Sequence, residues 1–103
     1  SIKPVLYVSD DGKLIVAAKV RGRKAALLNI LDRMKKDFTD PDGKEVFINH
    51  ADCLDDARFM REKVLEAFPK VSQITISSLG AVIGAHCGPG LFTIFYLGNR
   101  RYT

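Results

Sequence analysis

The chain predicts an α+β fold, a two-layer sandwich in which amphipathic helices cover one face of a mixed sheet. Two observations carry that expectation. Short apolar or β-branched runs alternate with two longer stretches whose apolar residues recur at spacings of three and four, giving the order strand, strand, helix, strand, helix, strand, loop, strand. Both helical stretches are apolar along one side only, and one-sided helices are buried most economically in a single layer against a sheet. The opposite sheet face is then left for something else to cover, either a further domain or an apolar ligand.

The elements follow in order. Val5–Val8 and residues 14–20 flank Asp10-Asp11-Gly12, a strong hairpin signal. Leu27, Ile30, Leu31, Met34 and Phe38 repeat at helical spacing, and Thr39-Asp40-Pro41-Asp42-Gly43 ends that helix. Residues 46–49 read as a short buried strand. Asp52 suits the N-cap of a second helix, Asp55 and Asp56 match the positive end of its dipole, and Cys53 reads as a buried thiol of its first turn. Ala57, Met60, Val64 and Phe68 form its apolar side, with Pro69 just past its end. Residues 73–77 alternate as a strand does, and Leu91–Leu97 is a final, strongly apolar one.

Bulk properties narrow the function classes. A chain of 103 residues makes one domain with a real core. The 16 basic and 12 acidic residues leave a net charge of +4, spread over the chain rather than drawn into a basic stripe with interleaved aromatics. That argues against a nucleic-acid binder. Two cysteines make no disulfide scaffold, no apolar run approaches the roughly 20 residues of a membrane span, and no leader opens the chain. The expectation is a soluble cytoplasmic protein with reduced thiols. The start at Ser1, running at once into a strand, reads as a domain taken from a longer protein.

Four constellations could carry chemistry. Gly84-Ala85-His86-Cys87-Gly88-Pro89-Gly90 sets one imidazole among three glycines and a proline, between apolar stretches. Glycine permits close approach to a ligand, Pro89 stiffens the segment, and an imidazole can donate to a carboxylate or phosphate oxygen. The structural alternative is a loop histidine satisfied by backbone. Arg21-Gly22-Arg23-Lys24 places cations at the start of the first helix, where the dipole disfavours them. Such a segment is either a solvated turn or a contact for an anion or acidic partner. His50 and Cys53, with Asp52 between them and His86 and Cys87 further on, could supply metal ligands, but the adjacent second pair is awkward and no metal is expected. Cys87 lacks a neighbour suited to activate it as a nucleophile. The glycine segment is neither a dinucleotide fingerprint nor a P-loop.

Lys3-Pro4-Val5-Leu6 leading into an Asp-Gly hairpin, Lys19-Val20-Arg21-Gly22-Arg23-Lys24-Ala25, and His50-Ala51-Asp52 at a strand end together resemble the C-terminal domain of DegV family proteins. Val82-Ile83-Gly84-Ala85-His86-Cys87-Gly88-Pro89-Gly90 is similar to that family's most distinctive motif. The resemblance covers essentially the whole chain. It implies the lid domain, residues 1–103, of a two-domain bacterial fatty-acid-binding protein that performs no chemistry and needs no cofactor. The absent N-terminal domain would supply hydroxyl ligands, and a fatty acid kinase partner would convert the presented carboxylate to an acyl phosphate. Site residues implied by the resemblance are His86 at the carboxylate, with Ile83, Gly84, Ala85 and Cys87 around it, and Arg21 and Arg23 facing the kinase. Many members carry threonine where this chain has Cys87, and a thiol is the weaker donor. The rival expectation is a small regulatory or nucleic-acid-binding module using the Arg21-to-Lys24 segment.

Overall fold

A computed structural model describes residues 5–8, 13–20, 22–38, 41–79 and 90–97. The order is β1 (Val5–Val8), β2 (Lys13–Lys19), α1 (Lys24–Asp37), β3 (Glu45–His50), α2 (Leu54–Ala67), β4 (Gln73–Ser78) and β5 (Leu91–Leu97). The five strands form one sheet in the order β1-β2-β5-β3-β4. It is mixed: β3 and β4 are parallel, whereas β1–β2, β2–β5 and β5–β3 are antiparallel. This is the α+β architecture expected, with each strand and helix where the periodicity puts it.

The most apolar strand, β5, enters the sheet last and lies between β2 and β3. Because β2 and β3 both run antiparallel to β5, they run parallel to each other and to β4. Helices α1 and α2 each connect two of these parallel strands, so both must run back along the sheet. Both helix N-termini therefore lie at the end where β2, β3 and β4 finish and β5 begins.

Register decides which residues meet the helices. Val16, Ile94, Ile48 and Ile76 form one row across β2, β5, β3 and β4, and Ala18, Phe92 and His50 lie along the next. These side chains, apart from the half-buried Ile76, are buried, and the apolar ones join Leu27, Ile30, Leu31 and Met34 of α1 and Ala57, Met60 and Val64 of α2 in one core. At the far end the helices close on aromatics. Phe38 and Phe68 are their C-caps, each donating its N–H to the carbonyl four residues back. Phe38 packs 5.1 Å from Phe68 and 5.4 Å from Tyr96, centroid to centroid and tilted, as aromatic pairs prefer.

Two local expectations are corrected. Asp52 is not the N-cap of α2; Cys53 is, and Asp52 sits before it at φ +54°. Asp tolerates this left-handed conformation better than most residues, and the turn uses it to bring the Cys53 N–H onto the His50 ring. The third strand is not buried throughout: its residues alternate, with Val46, Ile48 and His50 inside and Glu45 and Phe47 outside.

Candidate functional site

The end of the sheet where both helices begin is knitted together by backbone. Val20 donates to the Gly90 carbonyl at 2.8 Å, Gly90 to the Ala51 carbonyl at 2.7 Å, and Ala51 to the Leu91 carbonyl at 2.8 Å. Leu79 donates to the His50 carbonyl at 2.7 Å. The exit of β4 and the entry of β5 are thus both fixed at the end of β3, on its last residue His50 and on Ala51 just after it. Gly90 has φ +97° and is buried, a combination for which glycine is the suited residue.

The turn from β2 into α1 is tied to α2. Gly22, at φ +67°, donates its N–H to Asp56 Oδ2 at 3.2 Å, and the Arg23 N–H donates to the Val20 carbonyl at 2.7 Å. Arg23 is the N-cap of α1, makes no side-chain cap hydrogen bond and is exposed; Lys24 follows it, and the first turn of α1 holds no acid. The Lys24 ammonium lies 5.0 Å from the Phe59 ring centroid and that of Lys63 lies 5.5 Å from the same centroid, so two cations share one aromatic face or edge. This rim therefore combines two helix N-termini with exposed cations, with Asp55 and Asp56 offsetting the charge only at α2.

His50 is the buried polar side chain among the described residues, at 7% exposure. Its Nδ1 accepts the Cys53 N–H at 3.2 Å. Cys53 is a buried thiol whose Sγ lies 3.7 Å from the Leu91 carbonyl. With Nδ1 so engaged, His50 and Cys53 are explained as a turn, not as a metal pair. Among the described residues no group of three or more His, Cys, Asp or Glu converges as metal ligands would.

The sheet face turned away from the helices carries one largely apolar row and one mostly polar row. Ile15, Phe95, Phe47 and Thr75 form one row across β2, β5, β3 and β4, and Ala17, Thr93, Asn49 and Ser77 form the next. Phe47 is 41% exposed and Ile15, Ala17 and Phe95 are half-buried. Among the described residues no helix packs on this face. The alternation in Val46-Phe47-Ile48-Asn49-His50 was the signal for it, since an apolar residue at Phe47 falls out of phase with the buried set.

Of the residues singled out in the sequence, Arg23 is described and stands at this rim. Arg21, Ile83, Gly84, Ala85, His86 and Cys87 lie outside the described residues. Leu79 and Gly90, the last residue of the glycine motif, are the described residues on either side of it.

The sequence profile described as "uncharacterised protein, DegV family" matches residues 1–99. A DegV domain-containing protein of Clostridium perfringens is 41% identical over 101 residues, covering 98% of this chain and 34% of that protein. One from Streptococcus pyogenes serotype M3 is 35% identical over 100 residues, covering 97% of this chain and 34% of its own. The chain therefore spans about a third of the length of these relatives. Among solved structures, a Thermotoga maritima protein described as revealing a fatty-acid-binding function superposes with a TM-score of 0.60 at 21% identity, over 95% of this chain and 43% of its own. A DegV family protein from Eubacterium eligens, loaded with heptadecanoic acid, gives a TM-score of 0.62 at 10% identity, over 85% of this chain and 35% of that one. At these identities the superpositions show a shared fold. Among the described residues no helix is long and apolar enough to cross a membrane.

Proposed function

Because the chain belongs to the DegV family, we propose that residues 1–103 are the C-terminal lid domain of a non-enzymatic, cytoplasmic fatty-acid-binding protein. The observation that carries this reading is the apolar row Ile15–Phe95–Phe47 on the uncovered sheet face, which offers an acyl chain or an opposing domain a wall of side chains. Exposed apolar surface organised in a contiguous row marks a binding face rather than a scatter of surface residues. The named ligands of two structural relatives, heptadecanoic acid and vaccenic acid, are of the chemistry such a wall accepts.

The head group is assigned to the rim. A carboxylate leaving water needs donors, and helix N-termini favour negative charge. In this reading His86 donates to the carboxylate or to its water, Ile83, Gly84, Ala85 and Cys87 surround it, and an N-terminal domain adds hydroxyl ligands. Arg21 and Arg23 face an acidic surface of a fatty acid kinase, which forms the acyl phosphate. The protein itself makes and breaks no bond, and the long-chain fatty acid is its ligand rather than a cofactor.

Native mass spectrometry of the full-length protein, before and after organic extraction, tests the proposal. A co-purified mass equal to a fatty acid is expected. A folded protein that is empty and excludes added hexadecanoic acid would leave the likeness to fatty-acid binders as one of fold.

A further inference from the structure

The outer sheet face changes character from strand to strand. On β4 its side chains are Gln73, Thr75 and Ser77, and the Gln73 amide donates to Thr75 Oγ1 at 3.3 Å. On β3 they are Glu45, Phe47 and Asn49, so Phe47 has a polar neighbour on either side along its strand. On β2 and β5 the outward pairs are Ile15–Phe95, Ala17–Thr93 and Lys19–Leu91. All of these except Lys19 are half-buried. Thr93 Oγ1 is buried and has no hydrogen-bond partner among the described residues, so whatever surface this side chain shows is hydrocarbon. Apolar surface therefore continues along the β2–β5 seam from the row of Phe95 to the row of Leu91, a distance of about 13 Å at the rise of a strand.

The seam ends in a charge. Lys19 is exposed opposite Leu91 and has no acidic partner among the described residues. It stands where β2 finishes, at the rim to which the head group is assigned above. Glu45, exposed at the start of β3, holds the opposite end of the same face. A carboxylate is attracted to the first and repelled by the second. A chain laid across the strands would instead pass from Phe47 onto Thr75 and Gln73 and take their polar groups out of water. We propose that the acyl chain lies along the β2–β5 seam, with its methyl end against Ile15, Phe95 and Phe47, its middle over Ala17, and its carboxylate beside the Lys19 ammonium. This inference rests on the fatty-acid reading above and adds to it a direction for the ligand and a counter-charge. Ala17, the smallest outward side chain of β2, keeps the seam low at its middle.

Two substitutions in one row separate the two directions, since Ala17 and Asn49 flank Thr93 on opposite sides. Binding of hexadecanoic acid to the full-length protein is measured by displacement of a fluorescent fatty acid, with urea unfolding giving the folded fraction. Ala17→Phe is expected to weaken binding by about tenfold, the scale of overfilling a packed site, and Asn49→Phe not to weaken it. Equal effects in the two variants, or a larger loss in Asn49→Phe, overturn the path. If Ala17→Phe does not fold, Ala17→Leu takes its place under the same criteria. Lys19→Gln is expected to bind hexadecanoic acid about fivefold more weakly, the scale of one partly exposed ion pair, and hexadecanol as wild type does. Unchanged acid binding, or an equal loss of acid and alcohol, overturns the counter-charge. A wild-type protein that binds neither ligand overturns the fatty-acid reading itself, whereas a wild type that binds the acid beside an unaffected Ala17→Phe overturns the path alone.

Discussion

Replacing Phe47 by threonine isolates what the uncovered sheet face contributes. Threonine keeps strand propensity at a position flanked across β3 by Phe95 and Thr75, so the ladder should survive. Phe47 is 41% exposed in this chain. On a side chain of about 200 Å², that leaves roughly 80 Å² for an acyl chain to cover. At about 25 cal/mol per Å² the ring contributes about 2 kcal/mol to binding, and the threonine methyl returns roughly a quarter of it. The net loss of about 1.5 kcal/mol corresponds to roughly tenfold weaker binding. The already buried share of the ring also supports the fold, and the same area rule puts an upper bound of about 3 kcal/mol on the cost to stability. The assay is displacement of a fluorescent fatty acid from the full-length protein, with urea unfolding run alongside to hold the folded fraction known. Binding within twofold of wild type by folded Phe47→Thr would refute the placement of the acyl chain on this face.

Two further outcomes follow from the rim and the sheet. Arg23 caps α1 without a cap hydrogen bond and ahead of a first turn that lacks acids, so Arg23→Asp should stabilise the chain by about 1 kcal/mol, read as a higher thermal midpoint, while slowing phosphorylation of the bound fatty acid by the proposed kinase partner; a variant no more stable than wild type would refute the capping argument, and unslowed phosphorylation the proposed partner role. Thr93 Oγ1 is buried in the middle of the outer face with no hydrogen-bond partner among the described residues, and Thr93→Val should raise the unfolding free energy by about 1 kcal/mol by removing that unpaired hydroxyl. A drop in urea midpoint would mean the hydroxyl is satisfied.

Element identity was legible because periodicity is local. Leu27, Ile30, Leu31 and Met34 are all buried, as are Ala57, Met60 and Val64, at the spacings that mark a helix face. The β-branched runs and the Asp-Gly turn likewise announce the opening hairpin. What local pattern does not contain is register and strand order. Nothing in Leu91–Leu97 says that this last strand enters between β2 and β3, and only that insertion sets Phe95 beside Phe47 and Ile15. The capping error has the same origin. Asp52 is a good cap by residue preference, but the competing acceptor is a ring nitrogen placed by the end of a strand, and the helix start moved one residue to reach it.

The same topology explains why the polar end can carry unfavourable features. With β2, β3 and β4 parallel, every helix start and the anchor points Leu79 and Gly90 fall at one end, and both helix C-caps fall at the other. That far end holds the Phe38–Phe68–Tyr96 cluster, which needs no charge and no left-handed side chain. The near end holds cations at a helix N-terminus, a buried histidine and Asp52 at positive φ. The cations and the positive φ of Asp52 each oppose stability by an amount on the order of 1 kcal/mol, whereas the burial of His50 is offset by its hydrogen bond from the Cys53 N–H. A domain that concentrates such costs at one end, beside the open apolar face, spends stability where a head group and a partner would meet it. If Arg23→Asp is more stable but slows the proposed partner's phosphorylation of the bound fatty acid, that division between the two ends is functional rather than accidental.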